Sequence, residues 1–390
     1  SLGVIPREVV FSGFLSGGFW LLVSGIILGV AITATGLAAR ISGRLIDFTG
    51  PSYPRAILII AAAGLALGVL IPSTMPRIAV MIPVAVALAG HLGLAADGKG
   101  AIGLVATAAT ATLLPTYMIL TANLPTIVHV GTLDQLYGVQ STYSGYFLQQ
   151  FPVNALRFAV LVILMVGFTR EPVTSADTTP RTELARPEQR RLLFVLSAAI
   201  LLWMTDFLHG IPPAWVALTA ATIMFWPRFE ILKPSAMKEQ VDLTPAIFFA
   251  SIVTVVAIAE AVGLDQVLAD FIIKKLPLGD GGLSSIYSVY GFSLILSHLT
   301  TAPAGPAVLV PFAEPLAQAT GLSIEVVSMT QILGISTPVI PYQAPPLIVA
   351  MSISKVPVLV FLRLCFWLAV VVTAAGVPMT YLWWQVIGFI

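Results

Sequence analysis

The stretch IPSTMPRIAVMIP, Ile71–Pro83, and the stretch LTTAPAGPAVLVP, Leu299–Pro311, decide the fold of this chain. Each places small polar residues and prolines inside an apolar run. A helix exposed to lipid has no use for them, because backbone groups freed by proline find no water in the hydrocarbon of a bilayer. Each stretch is followed by a second interruption, LTANLPTIV at Leu120–Val128 and PYQAPPLIV at Pro341–Val349. Protein or substrate, and not lipid, must therefore line these four segments.

The composition is that of a membrane protein. Of 390 residues, 58% are hydrophobic and only 9% are charged, and no soluble domain could bury that much apolar surface. The single cysteine, Cys365, excludes a disulfide within the chain. A net charge of +1 without a basic run gives no indication of nucleic-acid binding. The chain opens on Ser1 without an initiator methionine, which is compatible with a fragment that lacks its start.

Apolar runs divide the chain into two halves, 1–168 and 192–390, which are joined by a hydrophilic cytoplasmic linker at 169–191. The first half is predicted to contain a span at Phe14–Leu37, a re-entrant hairpin at 56–95, a broken helix at 101–130 and a span at 154–168. The second half is predicted to contain scaffold spans, an amphipathic helix at Asp265–Leu276, a hairpin at 284–319, a broken helix at 324–351 and a final span at 357–388.

The two halves match each other. Phe19–Leu37 corresponds to Ile247–Leu264, and Pro83 corresponds to Pro311, which indicates an internal repeat. The distribution of lysine and arginine predicts that the first hairpin opens to the cytoplasm. Counting spans from there places the second hairpin on the outer side. We therefore predict an all-α polytopic membrane protein with inverted repeats, each with a re-entrant helical hairpin and a discontinuous transmembrane helix, a plan typical of alternating-access transporters.

These residues resemble the divalent anion:sodium symporters, a family within a broader ion transporter superfamily that carries dicarboxylates, citrate or sulfate. The resemblance runs from Gly18–Ala38 through His209–Leu218 to the second proline-rich break. In that family each hairpin tip carries Ser-Asn-Thr, and each broken helix carries a break of the form Gly/Ala-Thr/Ser-Pro-Pro-Asn. The corresponding segments here are Ser73-Thr74-Met75 and Thr301-Ala302-Pro303 at the tips, and Ala122-Asn123-Leu124-Pro125-Thr126 and Gln343-Ala344-Pro345-Pro346-Leu347 at the breaks.

The resemblance implies a secondary active transporter of small divalent anions in the cell inner membrane. A C4-dicarboxylate is the expected substrate, with citrate or sulfate as the other candidates. It further implies sodium-coupled symport by an elevator-type movement and a homodimer. The expected partners are the anionic substrate, sodium and the lipid bilayer, and no cofactor is expected beyond sodium as the coupling ion.

The predicted site draws on both tips and both breaks. Arg77 lies one turn beyond the first tip, where a guanidinium needs an anion, a carboxylate or water and offers bidentate hydrogen bonds. Hydroxyl residues at helix N-termini either cap the helix or bind an anion. The predicted substrate-binding residues are Ser73, Thr74, Arg77, Asn123, Thr300, Thr301, Pro303, Gln343 and Pro345. The sodium candidates, which follow from the resemblance, are Ser73, Thr74, Ala122, Asn123, Ser297, Thr300 and Gln343.

Several alternatives stay open at this stage. Arg77 could form an internal ion pair or extend to the cytoplasmic surface, and Asn123 and Gln343 could satisfy loose backbone. His298, Glu260 or Glu314 could carry a proton if coupling is not to sodium. An anion exchanger, or a proton-coupled, arsenite or sodium/proton-antiporter-like transporter, is the alternative function. An intramembrane enzyme is the remote one, and we predict none because the chain has no His-Glu-x-x-His motif and no paired intramembrane aspartates.

Overall fold

The fold is known from a computed structural model, which describes residues 6–37, 40, 49–71, 74–173, 186–261, 281–300, 305–354 and 356–390. These residues form helices and connecting turns, without strands. Helical segments that are long and apolar enough to cross a membrane are Gly17–Ala34, Tyr53–Leu70, Lys99–Met118, Tyr143–Thr169 and Val358–Val386. The predicted amphipathic helix at Asp265–Leu276 lies outside the described residues.

The first half builds one hairpin and one discontinuous helix. Its helices are α1 (Gly17–Ala34), α2 (Tyr53–Leu70), α3 (Thr74–His91), α4 (Lys99–Ala111), α5 (Leu124–Tyr137) and α6 (Tyr143–Thr169). Helices α2 and α3 are the arms of the first hairpin, and α4 and α5 are the two parts of the first discontinuous helix. A 3-10 turn, Pro115–Met118, lies in the break between them.

The second half repeats this plan. Its helices are α7 (Pro187–Met204), α8 (Pro213–Met224), α9 (Thr244–Ala261), α10 (Leu283–Leu299), α11 (Gly305–Leu309), α12 (Ala313–Thr320), α13 (Ile324–Ile335), α14 (Pro345–Ser354), α15 (Val358–Val371) and α16 (Val377–Val386). Helix α10 and the pair α11–α12 are the arms of the second hairpin, and α13 and α14 form the second discontinuous helix. The second break also contains a 3-10 turn, Pro341–Gln343.

The two hairpins lie on opposite sides of the breaks. The first hairpin packs against α4 and α14, whereas the second packs against α13 and α5. Helix α4 leads into the first break and α14 leads out of the second, while α5 and α13 are the other parts of the same two helices. This arrangement confirms the predicted all-α fold with inverted repeats, hairpins and discontinuous helices.

The span predicted at 154–168 begins earlier, at Tyr143, and Pro152 lies inside it. Proline lacks the N–H that would bond to the carbonyl four residues before it, here that of Leu148. The indole nitrogen of Trp383 donates to the Leu148 oxygen at 2.8 Å, and that of Trp384 donates to the Gln149 oxygen at 2.9 Å. Two side chains of α16 thus satisfy the backbone that proline frees, and the helix continues.

The last span contains a π-helical turn at Val372–Gly376 between α15 and α16. Two tyrosines of α10 contact this turn. The Tyr287 hydroxyl donates to the Thr373 carbonyl oxygen at 2.8 Å, and the Tyr290 hydroxyl lies 2.8 Å from Thr373 Oγ1. The second hairpin is therefore hydrogen-bonded to the last span.

Helices α10 and α13 approach each other closely at Gly334. A Cβ atom at this position would lie 2.6 Å from Ser293 Cβ and 2.8 Å from the Leu294 backbone nitrogen, so a side chain would force the helices apart. A Cβ atom added at Gly291 on α10 would have no neighbouring atom within 4 Å.

We expect Gly334→Ala to lower the free energy of unfolding by about 1–3 kcal/mol, because the added methyl group overpacks a helix contact. Gly291→Ala is the matched control and should stabilise the helix by about 0.5–1 kcal/mol. Thermal melting of both purified variants in detergent micelles measures the difference. Equal melting temperatures would contradict the close approach of α10 and α13.

Candidate functional site

The first hairpin tip is hydrogen-bonded to the first break. Thr74, the first residue of α3, donates through Oγ1 to Asn123 Oδ1 at 2.9 Å. Asn123 precedes α5 directly, and its Nδ2 donates to Thr116 Oγ1 at 3.1 Å. Both side chains are buried. These contacts tie the start of α3 to the start of α5.

The buried side chain of Arg77 adds hydrogen bonds to the same contact between the first tip and the first break. Its side chain is 0% exposed, and Nη2 donates to Thr74 Oγ1 at 2.8 Å, to the Ala122 carbonyl oxygen at 2.8 Å and to Asn123 Oδ1 at 3.1 Å. Its Nε and Nη1 have no hydrogen-bond partner among the described residues. Within that part of the chain the one salt bridge joins Arg191 to Glu230, so no carboxylate neutralises Arg77 there.

The C-terminal end of α10, in the second hairpin, meets the second break in a comparable way. Gln343 Nε2 donates to Ser297 Oγ at 2.9 Å, and the Val339 backbone N–H donates to His298 Nε2 at 3.1 Å. His298 Nδ1 lies 2.6 Å from the Leu294 carbonyl oxygen. Because a carbonyl only accepts and a backbone N–H only donates, this pattern is that of a neutral imidazole with its proton on Nδ1. His298 therefore bridges backbone groups and caps the break.

A cavity of about 260 Å³ lies where the first tip and both breaks converge. Its lining contains the N-terminal residues of three helices, α3, α5 and α14. It also includes α1 and the start of α9, so the cavity borders the outer spans. The lining residues are Leu22, Ile26, Thr74, Met75, Leu113, Leu114, Tyr117, Leu124, Pro125, Pro245, Ile335, Pro338, Gln343, Ala344, Pro345 and Pro346.

The electrostatic character of this cavity is positive. None of its lining residues is acidic. The N-terminus of a helix carries a partial positive charge from the aligned peptide dipoles. Because α5 and α14 have proline in their first turn, they contribute mainly this field and fewer free N–H donors. The charge of Arg77 lies directly behind Thr74 and adds to it.

The structure brings part of the predicted substrate set to the cavity. Thr74, Gln343 and Pro345 line it, while Asn123 and Arg77 lie behind Thr74. Thr300 donates to the Leu296 carbonyl oxygen at 3.2 Å and is not among the lining residues. Ser73, Thr301 and Pro303 lie outside the described residues.

The sodium candidates separate in the same way. Ala122 and Asn123 contribute oxygens to the Arg77 guanidinium, and Ser297 contacts Gln343. Gln343 Oε1 is buried without a hydrogen-bond partner among the described residues. Of the proton candidates, Glu314 is exposed beside Gln318, and the side chain of Glu260 is outside the described part.

Arg157 is the buried charge that sequence reasoning did not include in the site. It lies on α6 with 2% exposure, and its guanidinium donates to Asn154 Oδ1 at 2.8 Å and to Thr337 Oγ1 at 2.7 Å. Thr337 follows α13 at the start of the second break. An arginine inside an apolar span was the available signal, but its partner lies far away in the sequence.

Comparisons with known proteins agree with this architecture. A family model described as "Sodium:sulfate symporter transmembrane region" matches residues 5–390. A protein of Cupriavidus necator (strain H16) described as "Membrane protein" is 24% identical over 352 residues, which cover 86% of this chain and 68% of that protein. The crystal structure of the Alcanivorax borkumensis YdaH transporter, described as having an unusual topology, superposes with a TM-score of 0.68. That match has 15% identity and covers 98% of this chain and 88% of the other, so the likeness is one of fold.

The first break also depends on Tyr146 of α6, whose hydroxyl donates to the Tyr117 carbonyl oxygen at 2.6 Å. We expect Tyr146→Phe to lower the free energy of unfolding by about 1–3 kcal/mol, because that buried carbonyl loses its partner. Tyr342→Phe in the second break is the matched control, since the Tyr342 side chain is 61% exposed, and it should change stability by less than about 0.5 kcal/mol. Thermal melting in detergent measures both. A neutral Tyr146→Phe would show that the first break does not need this bond.

Proposed function

Because the chain belongs to the family of the sodium:sulfate symporter transmembrane region, we propose that it carries a small divalent anion, in the first place a C4-dicarboxylate, by sodium-coupled symport. As a member of that family it is a multi-pass membrane transporter and not an enzyme. Citrate and sulfate are the other candidate substrates. The proposal extends to the inner membrane as its location and to a homodimer, both taken from the family resemblance.

The convergence of three helix N-termini on one cavity carries the proposal. Helices α3, α5 and α14 all begin at this cavity, and no described lining residue is acidic. Helix N-termini favour negative charge, and in secondary transporters the half-helix N-termini of broken helices point at anionic substrate groups. A cation would meet the positive ends of three dipoles there, so an anion is the favoured guest.

The size and lining of the cavity support a dicarboxylate over sulfate. Its volume of about 260 Å³ lies below the roughly 300–1,000 Å³ of drug-sized pockets. Leucine, isoleucine, methionine and proline side chains dominate the lining. They would contact the methylene groups of a C4 chain favourably, whereas sulfate offers no apolar atoms for these contacts.

Sodium coupling is supported by residues of the second repeat. Unwound backbone carbonyls and polar oxygens of broken helices hold coupling ions in such transporters. Gln343 Oε1 is buried without a described partner, and Ser297 Oγ lies 2.9 Å from Gln343 Nε2. These oxygens are the candidate sodium ligands beside the cavity. A bound sodium ion would supply positive charge that offsets the charge of the substrate.

An elevator-type movement is supported by the position of the cavity. Thr74 at the first tip and Ser297 near the end of α10 are hydrogen-bonded to the two breaks, so these segments can move as one body. The opposite wall includes Leu22 and Ile26 of α1 and Pro245 at the start of α9. Helix α1 packs against α8 in the outer part of the protein. Sliding of the core along this wall would carry an intact site across the membrane.

We expect purified protein in proteoliposomes to take up radiolabelled succinate when an inward sodium gradient is imposed. Uptake should fall to background when choline replaces sodium. Citrate and sulfate are tested in parallel, because they share the charge of the substrate but not its carbon chain. Uptake that follows a proton gradient or an internal anion load, and not sodium, would favour the exchanger or proton-coupled alternative.

A charge introduced at Met75 tests the anion site. Met75 lines the cavity in the first turn of α3 and is 41% exposed. Glutamate there repels each substrate charge by about 3 kcal/mol at roughly 6 Å and an effective dielectric constant of about 20, while a helix N-terminus tolerates it. We expect Met75→Glu to weaken the apparent substrate affinity at least tenfold, because 1.4 kcal/mol is already a factor of about ten.

Met75→Gln is the matched control, because glutamine has the shape of glutamate without its charge. The substrate affinity of this variant should remain close to that of the parent protein. Competition of unlabelled succinate against labelled uptake gives both affinities. Equal affinities for the two variants would place the anion elsewhere.

A further inference from the structure

One nitrogen of Arg77 is surrounded by oxygen atoms. Nη2 lies 2.8 Å from Thr74 Oγ1, 2.8 Å from the Ala122 carbonyl oxygen and 3.1 Å from Asn123 Oδ1. Nη2 carries two hydrogens, so it can form two linear hydrogen bonds. With three acceptors around it, one hydrogen is shared between two of them. A hydroxyl, a backbone carbonyl and an amide oxygen converging on one point form a shell suited to a small cation.

The same three residues were predicted from the sequence as sodium ligands. Thr74, Ala122 and Asn123 come from the first tip and the first break, where the resemblance implies a sodium site. Their oxygens are directed at a guanidinium that is itself a cation. An ion cannot occupy this shell while Arg77 holds it, because the two positive charges would share one set of ligands without a carboxylate among the described residues nearby.

We propose that Arg77 is a tethered cation that takes the place of a sodium ion in the first repeat. The consequence of this inference rests on the proposed function: sodium coupling runs through the second repeat. The protein then binds one sodium ion fewer than a carrier with an equivalent sodium site in each repeat. The guanidinium supplies the positive charge beside the substrate permanently. The residue thus sets the ion stoichiometry without contacting a transported ion.

The two repeats differ at the decisive position. Arg77 stands six residues before Pro83, and Gly305 stands six residues before Pro311. Gly305 has no side chain, so the second hairpin carries no charge at the position of Arg77. The buried guanidinium at the second break is that of Arg157, which comes from α6. In the second repeat, Gln343 Oε1 has no hydrogen-bond partner among the described residues. The first hairpin thus supplies a cation from its own side chain, whereas the second break contains an acceptor without a partner.

The first hairpin is shaped to admit the guanidinium. A Cβ atom at Gly68 would lie 2.7 Å from Arg77 Nη1 and 2.5 Å from Thr116 Cγ2. Only glycine leaves this room on α2. Arg77 follows Thr74 by less than one helical turn, so its side chain reaches the shell without long-range rearrangement. Because the Arg77 guanidinium is covalently attached to the chain, its effective concentration at the oxygen shell is one that free sodium does not reach.

Removing the guanidinium should create a sodium site. In Arg77→Ser the three oxygens remain and the space opens to an ion, whereas in Arg77→Met an apolar chain of similar reach fills it without charge. The melting temperature of each variant is compared in sodium chloride and in choline chloride at equal ionic strength. We expect Arg77→Ser to gain a sodium-dependent stabilisation on the order of 2 °C or more beyond that of the parent protein.

Arg77→Met should show the same sodium response as the parent protein. An Arg77→Ser variant that folds and shows no additional sodium response would overturn the proposal. The measurement involves no anion transport, so it is independent of whether the substrate proposal holds.

A second measurement avoids changing Arg77. Radioactive sodium binding at saturation is compared between the parent protein and Thr74→Val, which removes one oxygen of the shell and keeps the side-chain volume. Because Arg77 and not sodium uses that oxygen, the number of sodium ions bound per chain should be the same in both. The loss of one bound ion in Thr74→Val would show that sodium does occupy the first repeat.

Discussion

Backbone groups freed inside an apolar protein must find partners within the protein, and this constraint organises the molecule. At the first break the carbonyl oxygens of Ala122 and Tyr117 are satisfied by Arg77 and Tyr146. At the second break His298 accepts from the main chain of Val339. In each case the partner side chain comes from a different helix. The breaks therefore lie where helices from several parts of the sequence meet, and the cavity of the proposed binding site lies at that meeting point.

The two repeats share a backbone plan but differ in charge. Each has a hairpin in which a residue at the start or near the end of one arm is hydrogen-bonded to a break that contains a 3-10 turn. Buried arginines, Arg77 and Arg157, contact the first and second breaks respectively, yet they reach them from different helices. The symmetry of the fold thus does not extend to the chemistry of the site. Two halves with similar backbones can in this way place different side chains around one small substrate.

The sequence was sufficient for most of the architecture. Prolines and small polar residues inside apolar runs predicted both hairpins and both discontinuous helices, because their backbone effects are local. The span predicted at 154–168 begins earlier, at Tyr143. The indole groups that bond to the backbone before Pro152 belong to Trp383 and Trp384, more than two hundred residues away in the chain.

The site was predicted less completely for the same reason. Thr74, Gln343 and Pro345 were predicted because they lie beside the interruptions themselves, and they line the cavity. Arg157 was not included, because its contact with Thr337 depends on how α6 packs. For Arg77, sequence reasoning identified an unusual buried charge and could not tell which atoms would surround it. Local pattern finds residues at breaks, whereas three-dimensional packing decides their partners.

The π-helical turn at Val372–Gly376 has a mechanical consequence. Because Tyr287 and Tyr290 are anchored to Thr373, the first arm of the second hairpin cannot swing away from the last span without breaking two hydrogen bonds in apolar surroundings. The wider turn also adds a residue to that helix, which offsets the registry of everything after it by about 100°. The indole pair of α16 follows this turn and bonds to the backbone of α6, so we expect the deletion of one residue in the turn to rotate both tryptophans away from α6.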